Sequence, residues 1–195
     1  DVYKRQDLHR ILRDAERARN TVKELLEFTR QTRHLMQPNN INEALTRTLF
    51  LLENQTLFQN IKLRKDFQPD LPPVSSDAQQ LYHLMMNLIL NAAQAMDGNG
   101  ILHIKTHYRE KQDRVCIVIS DTGPGIPEKA LPHIFEPFFT TKDEGKGTGL
   151  GLSLAYNIVE SHGGRMSARN NPEKGASFII ELPSAANSQK GDERE

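Results

Sequence analysis

The sequence predicts an α+β fold, a two-layer α/β sandwich in which helices cover one face of a mixed β-sheet. The predicted elements run in the order α, α, β, α, β, β, loop, α, β, β, which is neither a strict βαβ alternation nor an all-β order. Helical segments carry apolar residues at steps of three and four, whereas strand segments alternate or run continuously apolar. With 195 residues, the chain can build one full core with a smaller element attached.

Charge and cysteine content exclude some classes of partner and location. Lys+Arg and Asp+Glu both number 25 and are scattered along the sequence, so we expect neither nucleic acid nor a membrane surface as a partner. No stretch approaches the roughly 20 apolar residues that a membrane-spanning helix needs. The single cysteine, Cys116, cannot form an internal disulfide and lies in the apolar run 115–119, which fits a cytoplasmic location.

The first part of the chain predicts a long helix ahead of the main domain. Residues 1–6 carry no helical stripe and join abruptly to a segment that does, so we expect them to be a non-native leader. Residues 7–36 carry a heptad seam. The seam residues are Leu8, Ile11, Ala15, Ala18, Val22, Leu25, Thr29 and Thr32. Leu12, Leu26 and Phe28 widen the stripe and favour a helix of a bundle, although a helix lying on its own domain fits the same pattern.

A break follows this helix, and the main domain begins after it. Pro38-Asn39-Asn40 ends the first helix, so residues 37–40 are predicted to be a linker. Asn40 or Asn42 can cap the next helix. Its apolar face consists of Ile41, Leu45, Leu49 and Leu52.

The remaining elements follow from the same two periodicities. They are a strand from Ile61 to Phe67, a helix after Asp77 to about Met96, strands at 100–108 and 114–120, a helix at 150–162, and strands at 165–170 and 176–182. Pro183 ends the last strand, so the main domain is predicted to span residues 41–183. The polar residues 184–195 are expected to form a disordered tail.

Two amides on the apolar central helix are the first functional signal. Asn87 and Asn91 are four residues apart and therefore lie on one helical face. Burying an uncompensated amide costs on the order of 1–3 kcal/mol, so a polar partner is expected beside them. An amide oxygen is a hard, neutral ligand suited to Mg²⁺. A core hydrogen-bond network accounts for the pair equally well.

A turn after the apolar strand at 114–120 supplies a carboxylate. In Asp121-Thr122-Gly123-Pro124-Gly125, an ionised aspartate can accept a hydrogen bond from an exocyclic amine, and the glycines let the backbone approach a flat base. Ordinary strand ends use Asp and Gly in the same way, so the turn alone does not assign a ligand.

A glycine-rich loop opens the following helix. In the segment from Gly145 to Leu152, Gly-Lys-Gly-Thr-Gly-Leu-Gly-Leu, the glycines free backbone N–H groups, and the helix N-terminus adds partial positive charge, which together suit a phosphate. Lys142 and Lys146 can meet phosphates as point charges. The loop matches neither common phosphate fingerprint, and a flexible linker has the same composition.

In their order, these motifs resemble those of the ATP-binding catalytic domain of two-component sensor histidine kinases. Asn87-x-x-x-Asn91, the turn 121–125, Phe-Glu-Pro-Phe-Phe at 135–139 and Gly-x-Gly-Leu-Gly-Leu at 147–152 look like the N box, first glycine box, F box and second glycine box of that family. The resemblance covers roughly residues 40–183. It implies the Bergerat ATP-binding fold, shared with gyrase, mismatch-repair ATPases and a heat-shock chaperone.

The resemblance implies a role for each matching residue. Asn91 would be the principal Mg²⁺ ligand, with Asn87 assisting, and Asp121 would bind the adenine amino group of ATP. Gly123 and Gly125 would shape the adenine pocket. The residues expected to meet the triphosphate are Lys142, Gly147, Thr148, Gly149, Leu150 and Gly151.

The resemblance also implies a reaction and its partners. The γ-phosphoryl group of Mg·ATP would pass to a histidine and then to an aspartate on the receiver domain of a response regulator. Residues 7–36 resemble the second helix of the dimerisation hairpin, so we expect a homodimer through that helical bundle in the full-length protein. None of the seven histidines lies in a phosphoacceptor context, so no catalytic residue is assigned and the fragment alone is not expected to autophosphorylate.

Departures from related families narrow the choice of function. Gyrase-like ATPases carry a glutamate base where Asn87 stands, and an amide cannot take a proton, so ATP hydrolysis is not expected to be the main activity. Many of these kinases carry a lysine where this chain has Gln94; the F box and the run 91–96 look like the nitrogen-regulation subgroup. Residues 174–178 resemble the last glycine-containing strand. A nucleotide-binding regulatory module, such as an anti-sigma-factor-like serine kinase, is the alternative, although those domains begin with the ATP fold itself.

Overall fold

The computed structural model describes residues 35–142 and 147–185. The predicted leader at 1–6, the predicted first helix up to residue 34 and the predicted tail beyond residue 185 lie outside the described part of the chain. Residues 143–146 of the predicted phosphate loop, including Lys146, also lie outside it.

Three α-helices form one layer of the structure. They are α1 (Ile41–Glu53), α2 (Ala78–Ala95) and α3 (Gly151–Ser161). The side chain of Asn40 caps α1 by accepting the N–H groups of Asn42 and Glu43. Asp77 caps α2 in the same way, through two N–H groups of its first turn. None of these described helices is long and apolar enough to cross a membrane.

Seven strands complete the described part of the chain. They are β1 (Gln37–Asn39), β2 (Asn60–Phe67), β3 (Val74–Ser76), β4 (Asn99–Arg109), β5 (Arg114–Ser120), β6 (Arg165–Asn170) and β7 (Ala176–Pro183). Single turns of 3₁₀-helix lie at Thr56–Phe58, Glu110–Gln112 and Leu131–His133. The longer strands and helices that were predicted for the main domain are all present in the described residues, with ends within a few residues of the predicted ones. Leu35 and Met36, the last residues of the predicted first helix, are not helical.

Five of these strands form a mixed sheet beneath the helices. The order across the sheet is β2-β4-β5-β7-β6. β2 runs parallel to β4, and the other neighbours are antiparallel. Inward-facing residues such as Ile104, Ile117 and Ile180 are fully buried against the helix layer. The predicted α+β sandwich, with helices on one face of a mixed sheet, is therefore confirmed.

Helix α2 lies at the centre of the hydrophobic core. It contacts α1, α3, β4 and β5. Its fully buried side chains include Leu84, Met85, Leu88 and Ile89. Because neighbouring elements cover this helix on several sides, its apolar residues extend around most of its circumference, as the sequence predicts for a buried helix.

The segment predicted as a linker contains a strand. Residues 37–39 pair antiparallel with Val74–Ser76, and Asn39 Nδ2 donates to Ser76 O at 2.7 Å. Three residues with one proline carry too little periodicity to predict a strand, and the partner lies more than thirty residues away in the sequence. The entry to the domain is therefore fixed by hydrogen bonds.

The end of the domain extends two residues past the predicted boundary at residue 183. Ser184 is fully buried, and its N–H donates to Asp113 O at 3.1 Å. The N–H of Ala185 donates to Pro73 O at 2.7 Å. Because these contacts come from segments distant in the sequence, composition alone suggested that the tail begins earlier.

We predict that replacing Leu49 by alanine lowers the free energy of unfolding by about 2–5 kcal/mol, because the substitution leaves a cavity in the core. Leu49 is 0% exposed, whereas its neighbour Phe50 is 69% exposed on the same helix. The matched variant Phe50→Ala should therefore cost roughly 0.5 kcal/mol or less. Urea denaturation of both variants measures the difference, and equal losses would contradict the assignment of the buried face of α1.

Candidate functional site

Asn87 and Asn91 lie on the side of α2 that faces the start of α3. Both side chains are partly buried. A Cβ built on Gly151, the first residue of α3, would lie 3.6 Å from Asn87 Oδ1. Asn91 Oδ1 lies 3.4 Å from the ammonium group of Lys142. The two amides therefore face the loop that precedes α3 rather than the hydrophobic core.

An ammonium group occupies the position beside Asn91. Lys142 Nζ donates to Gln94 Oε1 at 2.7 Å and to Asn91 Oδ1 at 3.4 Å. Burial lowers the pKa of Lys142, because a desolvated ammonium is less stable than a hydrated one. Neutral amide oxygens that already hold a cation suit a divalent metal with an oxygen preference, so the donor set fits Mg²⁺.

Among the residues that the structure describes, no side chain caps the N-terminus of α3. Leu150 at the cap position makes no side-chain hydrogen bond to the first turn. The free N–H groups of such a helix end carry partial positive charge and can bind an anion. Gly151 leaves this end open toward Asn87. An anionic group at this position would lie beside the amides of α2.

The glycine loop before α3 is fixed to the segment at 135–140. Gly149 has φ +69°, and a Cβ there would lie 2.4 Å from the carbonyl carbon of Phe138. Phe138 N–H donates to Gly149 O at 3.0 Å. A Cβ on Gly147 would lie 2.9 Å from Thr140 Oγ1. These close approaches require glycine at 149 and leave little room for a side chain at 147.

Thr148 and Leu150 complete this loop. Thr148 Oγ1 accepts the N–H of Leu150 at 3.3 Å, which turns the chain into the first residue of α3. The side chain of Leu150 is buried. Leu150 is therefore a packing residue by its side chain, and only its backbone faces the open helix end.

The aromatic residues at 135–139 have different environments. The ring of Phe135 lies 5.1 Å from that of Tyr156 on α3, and the ring of Phe139 lies 5.8 Å from that of His133. Phe138 has a φ of +67° and is 66% exposed. Phe135 and Phe139 thus anchor the segment, whereas Phe138 projects from it in a left-handed backbone conformation.

Asp121 forms a second centre at the end of β5. The side chain is 3% exposed, and its Oδ1 accepts the N–H groups of Gly123 at 2.8 Å and Ala176 at 3.3 Å. Burial raises the pKa of Asp121, and the two N–H groups oppose that shift. Within residues 35–142 and 147–185, no group donates to its other oxygen. That oxygen can therefore accept a hydrogen bond from a ligand amine.

Close packing links Asp121 to α2. A Cβ on Gly123 would lie 3.0 Å from Ala95 O, at the end of the helix that carries Asn91. Gly125 has φ +82°, and a Cβ there would lie 3.0 Å from Asn170 Oδ1. The structure thus joins three of the predicted motifs around α2: its amides, the glycine loop beside them and the Asp121 turn behind its C-terminal end.

Three supporting residues were not predicted from the sequence as part of the site. Asn171 Nδ2 donates to Asp121 O at 3.1 Å, and the side chain of Asn170 exchanges two hydrogen bonds with the backbone of Ile126, each 2.7 Å long. Gln94 holds Lys142. The Asn170-Asn171-Pro172 run is a turn signal, but only the fold places that turn against Asp121.

The region that contains these residues matches a known protein family. The family described as histidine kinase-, DNA gyrase B-, and HSP90-like ATPase matches residues 76–186. This range begins just before α2, ends just after β7 and includes every candidate residue named above.

Sensor kinases are similar to the chain over most of its length. Sensor histidine kinase ZraS of Klebsiella oxytoca is 38% identical over 183 residues, which cover 93% of this chain and 38% of that protein. Sensor kinase CckA of Brucella abortus is 36% identical over 200 residues, which cover 96% of this chain and 21% of that protein. The chain therefore spans less than half the length of these curated relatives.

Solved structures have the same architecture. The catalytic domain of histidine kinase ThkA matches with a TM-score of 0.67 and 33% identity, over 76% of this chain and 95% of that chain. A structure of ThkA in complex with the response regulator protein TrrA matches with a TM-score of 0.74 and 31% identity, over 90% of this chain and 49% of that chain.

We predict that Gly175→Ala destabilises the protein more than Gly163→Ala does. Both glycines have positive φ, +87° and +65°, so alanine costs about 1–2 kcal/mol at either position. A Cβ on Gly175 would also lie 1.9 Å from Asp121 O, whereas one on Gly163 would meet only Pro183 Cγ at 3.8 Å. The overlap should add roughly 1–3 kcal/mol at position 175. Denaturant unfolding of both variants measures this, and similar losses would contradict the close packing of Gly175 on Asp121.

Proposed function

We infer the function of this chain from the fact that it belongs to the histidine kinase-, DNA gyrase B-, and HSP90-like ATPase family. Its similarity to sensor histidine kinases extends over nearly all of its length. We propose that the chain binds Mg·ATP and transfers the γ-phosphoryl group to a histidine of a helical bundle. The observation that carries this proposal is the position of the Asn87 and Asn91 amides, beside a cation and facing the uncapped N-terminus of α3.

Each end of the nucleotide has a matching group in this proposal. Asp121 accepts the adenine amino group on its free carboxylate oxygen, and Gly123 and Gly125 admit the base beside the backbone. The backbone of Gly147, Thr148, Gly149, Leu150 and Gly151 donates N–H groups to the phosphates. Lys142, already close to the amides, adds a positive charge.

Asn91 would hold Mg²⁺ through its amide oxygen, with Asn87 beside it. When bound, the metal would neutralise part of the charge of the phosphates. The protein's contribution is to hold the triphosphate in one orientation. The N-terminus of α3 would contact the triphosphate on one side, and the amides of α2 would contact it on the other.

Phosphoryl transfer is favoured over hydrolysis as the main reaction. The residue beside the open helix end is Asn87, and an amide cannot accept a proton from water. A residue that binds without acting as a base suits transfer to a nucleophile brought by another part of the protein. We therefore place the acceptor histidine, and the base that assists it, outside the described residues.

We further propose that the phosphoryl group passes from the histidine to an aspartate in the receiver domain of a response regulator. Support comes from the similar kinase ThkA, which was solved in complex with the response regulator protein TrrA. A homodimer through the helical bundle and a cytoplasmic location belong to the same proposal. Two alternatives are a module that only binds nucleotide and a clamp that hydrolyses ATP. With ATP labelled with ³²P at the γ-phosphate, the proposed kinase would transfer label to a histidine, whereas neither alternative would.

We predict that Asp121→Asn keeps the fold and abolishes ATP binding. The amide oxygen can still accept the N–H groups of Gly123 and Ala176, but the amide NH₂ would oppose the adenine amino group. Because burial raises the pKa of Asp121, wild type should lose stability relative to Asp121→Asn as the pH rises above about 4, through the raised folded value. Melting curves at several pH values and ATP titration calorimetry measure both effects.

The matched variant for this test is Asp97→Asn. Asp97 is exposed and also follows α2, so the same change of charge should leave ATP binding intact. Wild-type affinity in Asp121→Asn would remove Asp121 from the adenine site.

We predict that Asn91→Ala abolishes the Mg·ATP-dependent rise in melting temperature while changing ligand-free stability by less than about 1 kcal/mol, because Lys142 keeps its shorter bond to Gln94. Gln94→Ala is the control: it removes that bond but leaves the proposed metal ligand, so most of the Mg·ATP stabilisation should persist. Phosphate transfer to a separate histidine-bearing bundle should fail only in Asn91→Ala. A ligand-free loss of roughly 1–3 kcal/mol with retained Mg·ATP stabilisation would identify Asn91 as a core hydrogen-bonding residue instead.

A further inference from the structure

The face of the sheet opposite the helices is strongly basic. Strand alternation turns every second residue of the five-stranded sheet toward this side. Seven of these outward residues are Lys or Arg and two are acidic. The cations are Lys62, Arg64, Lys105, Arg109, Arg114, Arg165 and Arg169, and the acids are Asp66 and Glu181. We name this surface the basic face.

The rest of the described domain has the opposite balance. Outside the basic face, the described residues contain six Lys and Arg against twelve Asp and Glu. The expectation of no membrane or nucleic-acid partner rested on charges scattered along the sequence. In the folded structure the basic residues are concentrated on one face, so scattered charges are no longer a reason to exclude a membrane or nucleic acid as a partner.

The arrangement of charges on the basic face is not the one that stabilises a sheet best. Arg109 and Arg114 lie directly opposite each other in the β4–β5 pair. Like charges in directly opposed positions destabilise a sheet. Glu181 forms an ion pair with Arg109 but gives Arg114 only its backbone carbonyl. Charges that lower the stability of the sheet in this way indicate a function other than stabilising the fold.

Several of the cations have no acidic partner in the part of the chain that the structure describes. Lys105 pairs with Asp66 at 3.2 Å. Lys62, Arg64, Arg165 and Arg169 are exposed and make no ion pair with any residue that the structure describes. The field of the basic face also acts on His107, whose pKa is lowered by burial and then by Arg109 and Lys105.

We propose that the basic face binds the surface of a bilayer that contains anionic lipids. The proposal is independent of the proposed kinase reaction and adds an interaction surface to it. Positive charges lie on both edge strands and on both central hairpin strands, so they cover an area rather than a line. With strands about 4.8 Å apart, five strands span roughly 20 Å, which a planar anionic surface can meet at once.

Nucleic acid is a poorer match for this surface. Single-stranded nucleic acid is usually held by bases stacked on aromatic rings, and no Phe, Tyr or Trp faces outward from the five described strands. Duplex DNA is read by a helix or ribbon inserted in a groove, and the three described helices all lie in the opposite layer.

A folded protein partner is also less well matched. Protein interfaces are usually centred on aromatic or large apolar anchors. The centre of the basic face is the cross-strand pair Val118 and Ile179, both only partly exposed, beside the hydrogen-bonded hydroxyls of Ser120 and Ser177. Long Lys and Arg side chains that form no ion pair with the described residues surround a small aliphatic centre, which suits lipid headgroups because these can move to meet the charges.

Binding through the basic face leaves the nucleotide site accessible. Asn87, Asn91 and the start of α3 belong to the helix layer, on the other side of the sheet. Because acidic residues outnumber basic ones in the described domain outside the basic face, an anionic surface would repel the other sides of the domain.

Sedimentation with lipid vesicles tests the proposal on the full chain. Vesicles of phosphatidylcholine with 25–30% phosphatidylserine are compared with pure phosphatidylcholine vesicles, each at about 50 mM and 500 mM NaCl. The double variant Arg64→Gln/Arg169→Gln removes two unpaired charges from opposite edges of the basic face. Arg47→Gln/Lys129→Gln removes two exposed charges from elsewhere on the domain and is the matched control.

We expect salt-sensitive binding to the anionic vesicles only. The Arg64/Arg169 double variant should reduce the partition coefficient at least tenfold, since each basic residue near such a surface contributes several-fold, whereas the control should change it less than threefold. Equal effects of the two double variants would overturn the proposal, as would equal binding to pure phosphatidylcholine. No vesicle binding combined with tight binding of a 30-nucleotide RNA would assign the basic face to nucleic acid instead.

Discussion

The burial of α2 is the constraint on which the rest of the structure depends. Its apolar residues, Leu84, Leu88 and Ile89 among them, are fully buried against the sheet and the neighbouring helices, which fixes the rotation of the helix about its axis. Once that rotation is fixed, Asn87 and Asn91 can face only the start of α3. The same helix supplies Ala95, against which Gly123 packs behind Asp121. Packing thus positions both ends of the proposed nucleotide site through one element.

Two ionisable groups of the site, Lys142 and Asp121, are partly removed from water, which disfavours their charged forms. Burial lowers the pKa of Lys142 and raises that of Asp121, so the fold destabilises the charged form of each group. Each has only part of its hydrogen-bonding capacity satisfied in the described structure: Lys142 meets two neutral amides, and one oxygen of Asp121 accepts no hydrogen bond from the described residues. A bound ligand that supplies the missing hydrogen-bond partner or the opposite charge would stabilise such groups more than the fold does. Binding sites commonly give up folding stability in this way.

Much of the fold followed from the sequence because periodicity marks long elements. The alternating β4 and the continuously apolar α2 and β5 were predicted within a few residues of their ends. The three-residue strands β1 and β3 were not predicted, since each is too short to carry a period and exists only through the other. Among the candidate site residues, Asn87 and Asn91 were predicted to share a helical face from their spacing, and the structure places Gly151 of the predicted glycine loop beside Asn87. Asn171 and Gln94 were missed because their importance depends on which backbone or ammonium group the fold brings to them.

The distribution of charge is a further property that spacing along the chain does not reveal. Arg64 and Arg169 are more than a hundred residues apart, yet the strand order puts both on the outward face of one sheet. A sequence with equal numbers of acidic and basic residues can therefore fold so that its basic residues are concentrated on one face and the rest of the described domain is acidic. The proposed triphosphate site lies outside the basic face, in the part of the domain where acidic residues outnumber basic ones. A triphosphate bound there gains nothing directly from the cations of the basic face. Lys142 beside the amides of α2, and a divalent metal in the proposed complex, would therefore supply the positive charge that the phosphates need.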